Sequence, residues 1–477
     1  MTDPLFTRRA VVLGSLPLAT GVGAFGSRAA HAFAGPSPIV DVTQFGASPS
    51  ASAVQNSMAF AAASEAVNRA GGGTLVVPAG TYRVGYQLRG KNSPGNPLDI
   101  IRIEGCTRPV IAQGTGAILK AADGLRFGSF HPRTGRRYDP VKMPFNDPSF
   151  RVDAYRMILV KNCRGSVRVE GFELDGNLEE YELGGDYDDQ GRQVLAVGVM
   201  LEANTGAVTV AKVTSHHHGL DGVMILHPGL TLGSPRYPIT LTDLVCDSNG
   251  RQGLSWVGGS QLTAIRCRFS RTGRVRFASA PGAGVDVEAE NSVCRNGRFV
   301  DCQFVDNAGV GFLAEAGDSA NIRLEGCTFI GTTAWSAWPR KPGIVFENCQ
   351  FVGSVINVFP DPDPRRATRF LSCRFTGDRK LSPTGAVYGE FLLNLGGGAT
   401  NVLMSNCQFN AVDRDVALAW SPADARYHNC AFRQRGKAVS RPRGIFTGTN
   451  RIDSAGGVDL YGSRFVGPVY VNGKLVT

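Results

Sequence analysis

A short alternation of apolar and polar residues recurs along the second half of the chain: cysteine, a residue that is usually polar, then phenylalanine. Residues i and i+2 of a β-strand face the same side. The alternation therefore predicts short strands with Cys and Phe pointing inward and the middle residue in solvent. Gly171-Phe172-Glu173 and Ser463-Arg464-Phe465 look like weaker copies. The seven full copies, of which the last has an apolar middle residue, are Cys267-Arg268-Phe269, Cys302-Gln303-Phe304, Cys327-Thr328-Phe329, Cys349-Gln350-Phe351, Cys373-Arg374-Phe375, Cys407-Gln408-Phe409 and Cys430-Ala431-Phe432.

The spacing of these copies indicates stacked coils. Successive cysteines lie 35, 25, 22, 24, 34 and 23 residues apart. The shorter intervals fit one coil of a parallel β-helix, and the longer ones fit a coil with an inserted loop. Stacked coils about 4.8 Å apart place like residues above like, so we expect a column of buried cysteines beside a column of phenylalanines. A chain of 477 residues would suggest two or three globular domains, but a solenoid grows by adding coils to one core.

The N-terminal region of this solenoid shows a different period. Between Asn56 and Arg69, apolar residues recur at helical spacing, which predicts one α-helix. The glycines at 71–73 end the helix, and Thr74-Leu75-Val76-Val77 begins a strand. We interpret the helix as a cap over the open end of the coil, where it prevents edge-to-edge association.

The same N-terminal segment resembles a known superfamily. Val40-Asp41-Val42-Thr43-Gln44-Phe45-Gly46-Ala47, then the helix, then residues 71–82 resemble the start of the pectate-lyase-like β-helix proteins. The resemblance implies an all-β fold, a single right-handed parallel β-helix over residues 36–477, with the N-terminal cap at about residues 40–84. The superfamily includes polygalacturonases, lyases, exo-glucanases, epimerases and phage tailspikes, so the fold alone does not fix the chemistry. The chain departs from it at Gln55-Asn56-Ser57, where acidic residues are frequent.

Residues 1–32 are predicted to be a signal peptide. Arg8 and Arg9 precede an apolar stretch, and Ala30-His31-Ala32 offers the small residues that a signal peptidase requires. The paired arginines resemble a twin-arginine signal; an ordinary secretory signal is the alternative. Both place the mature protein in the periplasm or outside the cell. We expect no membrane span, because no later run reaches about 18 apolar residues.

The net charge of the mature chain limits the kinds of molecule that it is expected to bind. Removing residues 1–32 lowers the formal charge of +10 to +8, because that segment carries three arginines and one aspartate. This balance favours an anionic partner. The basic residues are scattered, which argues against a nucleic acid as the binding partner.

An exported chain with 11 cysteines would suggest disulfides, but the odd number and inward placement of the cysteines favour buried free thiols.

Four coils between residues 215 and 315 can be aligned on Gly222, Gly253, Gly284 and Gly309. The alignment places two apolar positions of each coil inward: Val223, Leu254, Val285 and Val310, then Ile225, Trp256, Val287 and Phe312. It places a polar group on the outer face: Asp221, Gln252, Ser255, Asp286 and Glu288.

Asp286 and Glu288 are the strongest catalytic candidates. Two positions apart on one strand, their Cα atoms lie about 6.6 Å apart on the same face. Carboxylates this close differ in pKa, as an acid–base or nucleophile–acid pair requires. Calcium would use the same arrangement, and a solvated acidic face is the third interpretation. We expect no required cofactor, with calcium at Asp286 and Glu288 as the alternative.

His216-His217-His218 precedes Asp221 and forms a second cluster. Consecutive histidines alternate faces, so they chelate a metal poorly unless the loop bends. We assign His218 and Asp221 as assisting catalytic groups; a structural turn in which the imidazoles bond backbone is the alternative.

Substrate contacts are predicted for Arg251, Gln252, Ser255, Tyr181 and Glu315. Arg251 suits a uronate carboxylate or neutralises Asp221 or Asp286. Tyr181 opens a polar insertion, residues 181–190, that we interpret as a loop over the coils. Trp335 and Trp338 lie in another insertion and either stack on sugar rings or anchor the loop.

The leading hypothesis is an exported enzyme that cleaves glycosidic bonds of an extracellular polysaccharide, with an acidic polymer favoured by the charge balance, through a carboxylate pair. The chain lacks the combined motifs of the polygalacturonases. A uronate lyase or C5-epimerase, using Arg251, His218 and calcium, is the first alternative. A non-catalytic glycan-binding β-helix of the adhesin or tailspike kind is the second.

Overall fold

The computed structural model describes residues 37–90, 93–138, 150–185 and 193–476. The predicted signal peptide, residues 1–32, lies outside the described residues. No helix within these ranges is both long and apolar enough to cross a membrane.

Each coil contributes one short strand to each of three parallel sheets. One coil runs through Gln252–Trp256, Leu262–Ile265 and Arg268–Ser270, and each strand pairs in parallel with its counterpart in the next coil. We name these sheets the site sheet, the middle sheet and the Phe sheet, in that chain order. The stack is a parallel β-helix, which confirms the predicted fold.

The strands divide among the sheets as follows. The site sheet contains Ile101–Glu104, Arg156–Lys161, Val197–Glu202, Asp221–Leu226, Gln252–Trp256, Ala337–Pro339, Val355–Ile356, Leu393–Asn394, Trp420–Ser421 and Arg441–Pro442. The middle sheet contains Ile39–Asp41, Gly73–Val76, Val208–Ala211, Ile239–Thr242, Leu262–Ile265, Val345–Glu347, Arg369–Leu371, Leu403–Ser405, Arg426–His428, Ile445–Thr447 and Arg464–Phe465. The Phe sheet contains Gly80–Val84, Thr214–His216, Val245–Asp247, Arg268–Ser270, Gln303–Val305, Thr328–Ile330, Gln350–Val352, Arg374–Thr376, Gln408–Ala411, Ala431–Gln434, Asn450–Ser454 and Val469–Val471.

Some strands bend around a corner and serve two sheets. Ala283–Val300 and Phe312–Glu325 join the site and middle sheets, whereas Val110–Ala121 and Val167–Asp175 join the middle and Phe sheets. The remaining strands are Gly259–Ser260, Lys474–Val476, an antiparallel pair Gln87–Gly90 and Ser93–Pro97, and a small sheet of Arg126–Ser129, Arg151–Val152 and Glu182–Gly184.

The predicted cap is the α-helix Ala53–Arg69. It begins three residues earlier than its apolar pattern indicates, because Ser52 and Gln55 form a capping box that satisfies the first free amides. Phe60, Ala63 and Val67 are buried against the first coil. Short 3-10 helices span Val42–Phe45, Leu178–Glu180 and Arg379–Leu381.

The phenylalanine column forms as predicted. From Phe304 to Phe432, consecutive rings stack almost parallel with centroids 4.5–4.9 Å apart. Phe329 is fully buried, whereas the side chains of the middle residues Arg268 and Arg374 are exposed. The alternation of inward and outward residues is therefore confirmed.

The seven cysteines of the repeat, from Cys267 to Cys430, occupy the corner between the middle and Phe sheets. The residue before each of these seven cysteines has a left-handed backbone, for example Arg266 at φ 51° and Asn348 at φ 52°, which turns the chain through the corner. The Cys327 thiol donates to the carbonyl oxygens of Phe299 and Glu325, at 3.5 and 3.4 Å. All eleven cysteines of the chain are buried and free.

Candidate functional site

The outward residues of the site sheet form one column along the β-helix axis. The strand register stacks each of them directly on the next. In chain order the column is Leu159, Met200, Met224, Ser255, Asp286, Leu313 and Trp338. It changes from aliphatic to polar and then to aromatic, and the polar stretch coincides with the predicted site.

A glycine near the start of the strand lies beside Gln252. A Cβ atom on Gly253 would come within 2.5 Å of the Gly284 carbonyl oxygen, so the position excludes any side chain. Gln252 reaches the outward Asp286, although plain alternation from the inward Leu254 would turn it into the core.

The predicted alignment of inward residues is confirmed for the first three coils and wrong for the fourth. Val223, Leu254 and Val285 stack in one column, all fully buried. Phe312 stacks on Val285 and not on Val287 as predicted. The fourth coil therefore aligns on Gly311 and not on Gly309, a shift of two residues, and Val310 lies outside the main core cluster.

Asp221 and Arg251 form a buried ion pair on this face. Arg251 Nε and Nη2 donate to the two carboxylate oxygens of Asp221, at 3.0 and 2.6 Å, and the two side chains are 8% and 0% exposed. Burial raises the pKa of Asp221, although the paired guanidinium opposes the rise. Burial disfavours the charge of Arg251 too, but the negative charges of Asp221, Glu288 and Asp286 raise its pKa above the usual value. Of the alternatives open for Arg251, the structure shows neutralisation of Asp221.

Gln252, Ser255 and Asp286 extend this polar group along the column. Gln252 Nε2 donates to Asp286 Oδ2 at 2.8 Å. The three residues are only 0%, 0% and 1% exposed. The chain therefore covers this part of the outer face. Within the described ranges, Gln252 Oε1 and Ser255 Oγ are buried without a hydrogen-bond partner, which is costly unless another group reaches them.

A cavity of about 200 Å³ opens beside this polar group; we name it the site cavity. Glu288 and Arg251 border it together with Arg151, Arg156 and Glu290. Its floor is apolar and includes Val197, Met200, Leu220, Met224 and Val257, which pack with Leu159 as a separate cluster. An apolar floor with charged groups at one wall is the usual composition of a ligand site.

Glu288 and Glu315 lie where the strand register slips. Glu288 pairs with Ala316 whereas Val287 pairs with Ala314, so Glu315 is the extra residue of a bulge. Both glutamates are half-buried. Bulges often redirect side chains beside active sites, and here Glu288 borders the site cavity.

His218 does not reach this site. Its ring is 1% exposed and lies 3.1 Å from the Leu174 carbonyl oxygen. Burial, together with the charge of His216, lowers the pKa of His218 to about 3. The assignment of His218 as an acid or base beside Asp221 is corrected to the structural alternative, an imidazole that bonds backbone inside the coil.

Tyr181 is also placed differently from its prediction. Its side chain is 3% exposed and belongs to the main core cluster, so it does not overhang the coils as a substrate contact. The remainder of that insertion from residue 186 to 190 lies outside the described residues.

The histidine cluster does bend. His217 has a left-handed backbone at φ 54°, which brings its Nδ1 within 2.7 Å of His216 Nδ1. These two and Asp175 are a group of three potential metal ligands within the described ranges. Lys120 already pairs with Asp175 at 3.2 Å. The calcium site at Asp286 and Glu288 stays a prediction.

The sequence pattern did not reveal the contribution of Arg151, Arg156 and the apolar floor. Arg151 pairs with Asp153 at 2.6 Å, and Arg156 pairs with Asp99 at 2.7 Å. A signal for the floor was present: Met157-Ile158-Leu159-Val160 is apolar at every position, which is typical of strands buried on both faces.

Comparisons with known proteins bear on the fold. Residues 192–351 match the family model described as right-handed beta helix region. The sequence matches no curated protein. One similar solved structure is the A-module of a mannuronan C-5 epimerase from Azotobacter vinelandii, with 15% identity and a TM-score of 0.44 over 90% of this chain and 99% of that one.

Two further solved structures have lower sequence identity to this chain than the epimerase module has. The Dettilon tailspike protein has 11% identity and a TM-score of 0.48, over 91% of this chain and 68% of that one. The catalytic unit of an alpha-1,3-glucanase from Streptomyces thermodiastaticus has 13% identity and a TM-score of 0.30, over 92% and 68%. Sheet topology and family model together show that the chain carries a right-handed parallel β-helix, the fold of the pectate-lyase-like proteins that its N-terminal segment resembles.

Proposed function

We propose that this protein is an exported enzyme that cleaves glycosidic bonds of an acidic extracellular polysaccharide at the site cavity. The observation that carries the proposal is the buried group of Asp221, Arg251, Gln252 and Asp286 beside Glu288 and an apolar cavity. Burying charged and polar side chains on an outer face costs stability. Such a cost is typical of a site where the arrangement serves a ligand.

Glu288 is the proton donor in this proposal. It borders the cavity and is half-buried, so it can reach a bound sugar. Asp286 lies beneath, two residues away on the same strand, and is held by Gln252. In a two-carboxylate mechanism one acid protonates the leaving oxygen, while the other carboxylate assists water or stabilises positive charge on the sugar ring. We assign the second role to Asp286.

Arg251 is the positive charge that acts on the carboxylates of Asp286 and Glu288. It is fixed by two hydrogen bonds to Asp221, and the charges of Asp221, Asp286 and Glu288 all act on it. A guanidinium has five N–H donors, so donors remain for a ligand after both bonds to Asp221. Arg251 is thus a positioning residue for the carboxylates and a candidate contact for the substrate.

The guanidinium groups around the cavity support an acidic sugar. Arg151, Arg156 and Arg251 border it alongside Asp153, Glu288 and Glu290, so the lining carries no formal net charge. Each guanidinium keeps N–H donors beyond its ion pair, and guanidinium binds carboxylate in a two-pronged geometry. About 200 Å³ offers room for one ring, since a buried cavity of about 150 Å³ accepts benzene. The substrate class is therefore a polymer with uronate residues, one of which enters the cavity.

The same arginines support a second candidate, a uronate lyase or C5-epimerase. In a lyase, a base removes the C5 proton, the C4–O bond breaks and a C4–C5 double bond forms, the leaving oxygen takes up a proton, and a cation neutralises the carboxylate. Glu288 would be the base and Arg251 the cation. His218 takes no part, because it lies inside the coil.

One experiment separates these candidates. Purified protein is incubated with neutral polysaccharides and with polymers of galacturonate, mannuronate and guluronate, with calcium and with chelator. New reducing ends without ultraviolet absorbance indicate hydrolysis, and reducing ends with absorbance indicate a lyase. Altered uronate stereochemistry without chain cleavage indicates an epimerase. Binding without any of these products would contradict the enzymatic proposal and leave a glycan-binding module.

A further inference from the structure

A second cavity lies on the site sheet, further toward the C-terminus. It is an open depression of about 500 Å³, and its walls include Trp335, Tyr388, Phe391, Asn394 and Arg414. We name it the aromatic cavity. Ile356 and Asn394 pair with each other in the site sheet and both border it.

The aromatic cavity belongs to the same outward column as Asp286. Beyond Asp286 the strand register leads through Leu313 and Trp338 to the coils of Ile356 and Asn394. These are the third and fourth coils from Asp286, or about 14 and 19 Å along the axis at 4.8 Å per coil. A chain-like ligand that follows the column would meet both cavities.

The walls include aromatic side chains that the fold leaves exposed or half-buried. Trp335 lies edge-on to Trp338 and to Tyr388, with ring centroids 5.2 and 5.8 Å apart. Tyr388 is 38% exposed, in contrast with the phenylalanines of the core. In the next coil, Trp420 is 36% exposed and lies edge-on to Phe391. Exposed aromatic clusters of this kind mark binding sites.

Arg414 gives the aromatic cavity its charge. It is half-buried and donates to the Gly389 carbonyl oxygen at 3.1 Å, and within the described ranges it forms no salt bridge. Burial and the positive charge of Arg379 lower the pKa of Arg414, which means that its cationic form lacks compensation. Glu390 also borders the cavity, but it is exposed. The bordering residues thus include one cation, Arg414, and one carboxylate, Glu390. The preference for an anion rests on Arg414, because no carboxylate of the described residues forms a salt bridge with it.

We infer that the aromatic cavity is a remote binding subsite for a carboxylate-bearing sugar residue. The sugar ring would lie against Trp335, Tyr388 and Phe391, its carboxylate would bind Arg414, and Asn394 would bond a hydroxyl group. The inference rests on the proposed function, because it assigns the substrate class of the same enzyme. It adds that substrate recognition extends three to four coils from the reaction centre.

The test uses the location of the tryptophans. Trp335 borders the cavity, and Trp338 and Trp420 contact its wall residues Trp335 and Phe391, whereas Trp256, the fourth tryptophan, is fully buried in the core. Intrinsic fluorescence therefore reports ligand at the aromatic cavity. The probes are a galacturonate hexasaccharide and its fully methyl-esterified, neutral form, titrated into the full-length mature protein and followed also by calorimetry.

We expect the acidic hexasaccharide to change the fluorescence and to bind at least tenfold more tightly than the neutral one. Arg414→Gln should abolish this preference, and Tyr388→Ala should weaken both ligands. The matched control is Arg374→Gln, an exposed arginine of the Phe sheet, which should bind as wild type. Equal affinity for both ligands, or an unchanged preference in Arg414→Gln, would overturn the inference.

The same measurements distinguish failure of the subsite from failure of the proposed function. Arg414-dependent binding without any product would retain the subsite and contradict the enzyme. Product formation at wild-type affinity in Arg414→Gln would retain the enzyme and contradict the subsite. No binding of either hexasaccharide would also contradict the subsite, whatever the activity on polymers.

Discussion

The Phe sheet and the site sheet follow the same alternation but treat their outward residues in opposite ways. On the Phe sheet the outward Arg268 and Arg374 extend into solvent. On the site sheet the outward Ser255 and Asp286 are at most 1% exposed. The inward residues of both sheets are equally buried and apolar. The difference therefore lies in what covers the outer face of each sheet and not in the strands.

This difference suggests that the two sheets of the solenoid serve different purposes: the Phe sheet stabilises the fold, and the site sheet carries the ligand site. The Phe sheet gains stability from a continuous stack of rings inside and needs nothing from its outer face. The site sheet buries charges outside as well, where a buried ion pair is at best weakly stabilising. A face that keeps such groups at a cost is where a ligand site is expected.

Removing one ring of the Phe column should have the largest effect on stability. Phe329→Ala should lower the free energy of unfolding by about 3–5 kcal/mol, because it leaves a cavity in a packed core. Its neighbour Thr328 points outward, so Thr328→Ala should cost less than about 0.5 kcal/mol. Chemical denaturation of both variants measures the difference. Equal losses would mean that the assigned faces are wrong.

Breaking the buried ion pair of the site sheet should lower the free energy of unfolding somewhat less than Phe329→Ala does. Arg251→Leu should destabilise by about 3 kcal/mol, since it leaves the Asp221 carboxylate buried without a partner. The double variant with Asp221→Leu should regain most of that loss, because two apolar side chains replace the pair. The same measurements on Arg298 and Glu325, a more exposed pair with side chains 54% and 23% exposed, should show less than about 1 kcal/mol. A loss in Arg251→Leu as small as at this exposed pair would contradict the burial of the site.

His218 should add a pH dependence to stability. Its pKa is about 3 in the folded chain, against about 6.5 when unfolded. Between these values the unfolded chain binds the proton and the folded chain does not. Stability therefore falls as the pH decreases through this window, by up to about 1.4 kcal/mol per pH unit for this one group. In His218→Gln, unfolding measured from pH 7 to pH 4 should show a shallower loss; an unchanged slope would place the ring in solvent.

The cysteine thiols should react very little with a thiol reagent in the folded protein. Burial raises the pKa of Cys246 well above its usual value, and all eleven thiols are buried. A thiol reagent should therefore label almost none of them in the native protein and nearly eleven after denaturation without reductant. Several missing thiols after denaturation would indicate disulfides and contradict the buried column.

The fold could be predicted because its signal repeats. Each Cys-x-Phe copy alone is weak, but seven copies at coil spacing define both the strand and the face. The register error at Phe312 arose because Gly309 and Gly311 are both glycines that fit the alignment, and only the pairing with Val285 decides between them.

The candidate site could be predicted only partially. Asp221, Gln252, Ser255 and Asp286 do come together on the outer face, as their strand positions indicate. Their burial could not be predicted, because it depends on segments distant in sequence, such as those that bring Arg151 and Leu195 to the cavity. His218 and Tyr181 were misplaced for the same reason: a polar or aromatic residue next to a turn can point into the coil or out of it.

The central claim is that the outer face of the site sheet carries out chemistry. Its most direct test is the turnover and the melting temperature of Asp286→Asn and Glu288→Gln, on the polysaccharide that wild type converts, with calcium and with chelator. Glu325→Gln on the middle sheet is the matched control and should retain wild-type turnover.

We predict a loss of turnover of about 100-fold or more in each of the two variants. Their melting temperatures should be equal to or above that of wild type, because removing one of two neighbouring carboxylates relieves repulsion. A joint loss of turnover and stability that added calcium restores would reassign Asp286 and Glu288 to a metal site. Wild-type turnover in both variants would contradict the claim.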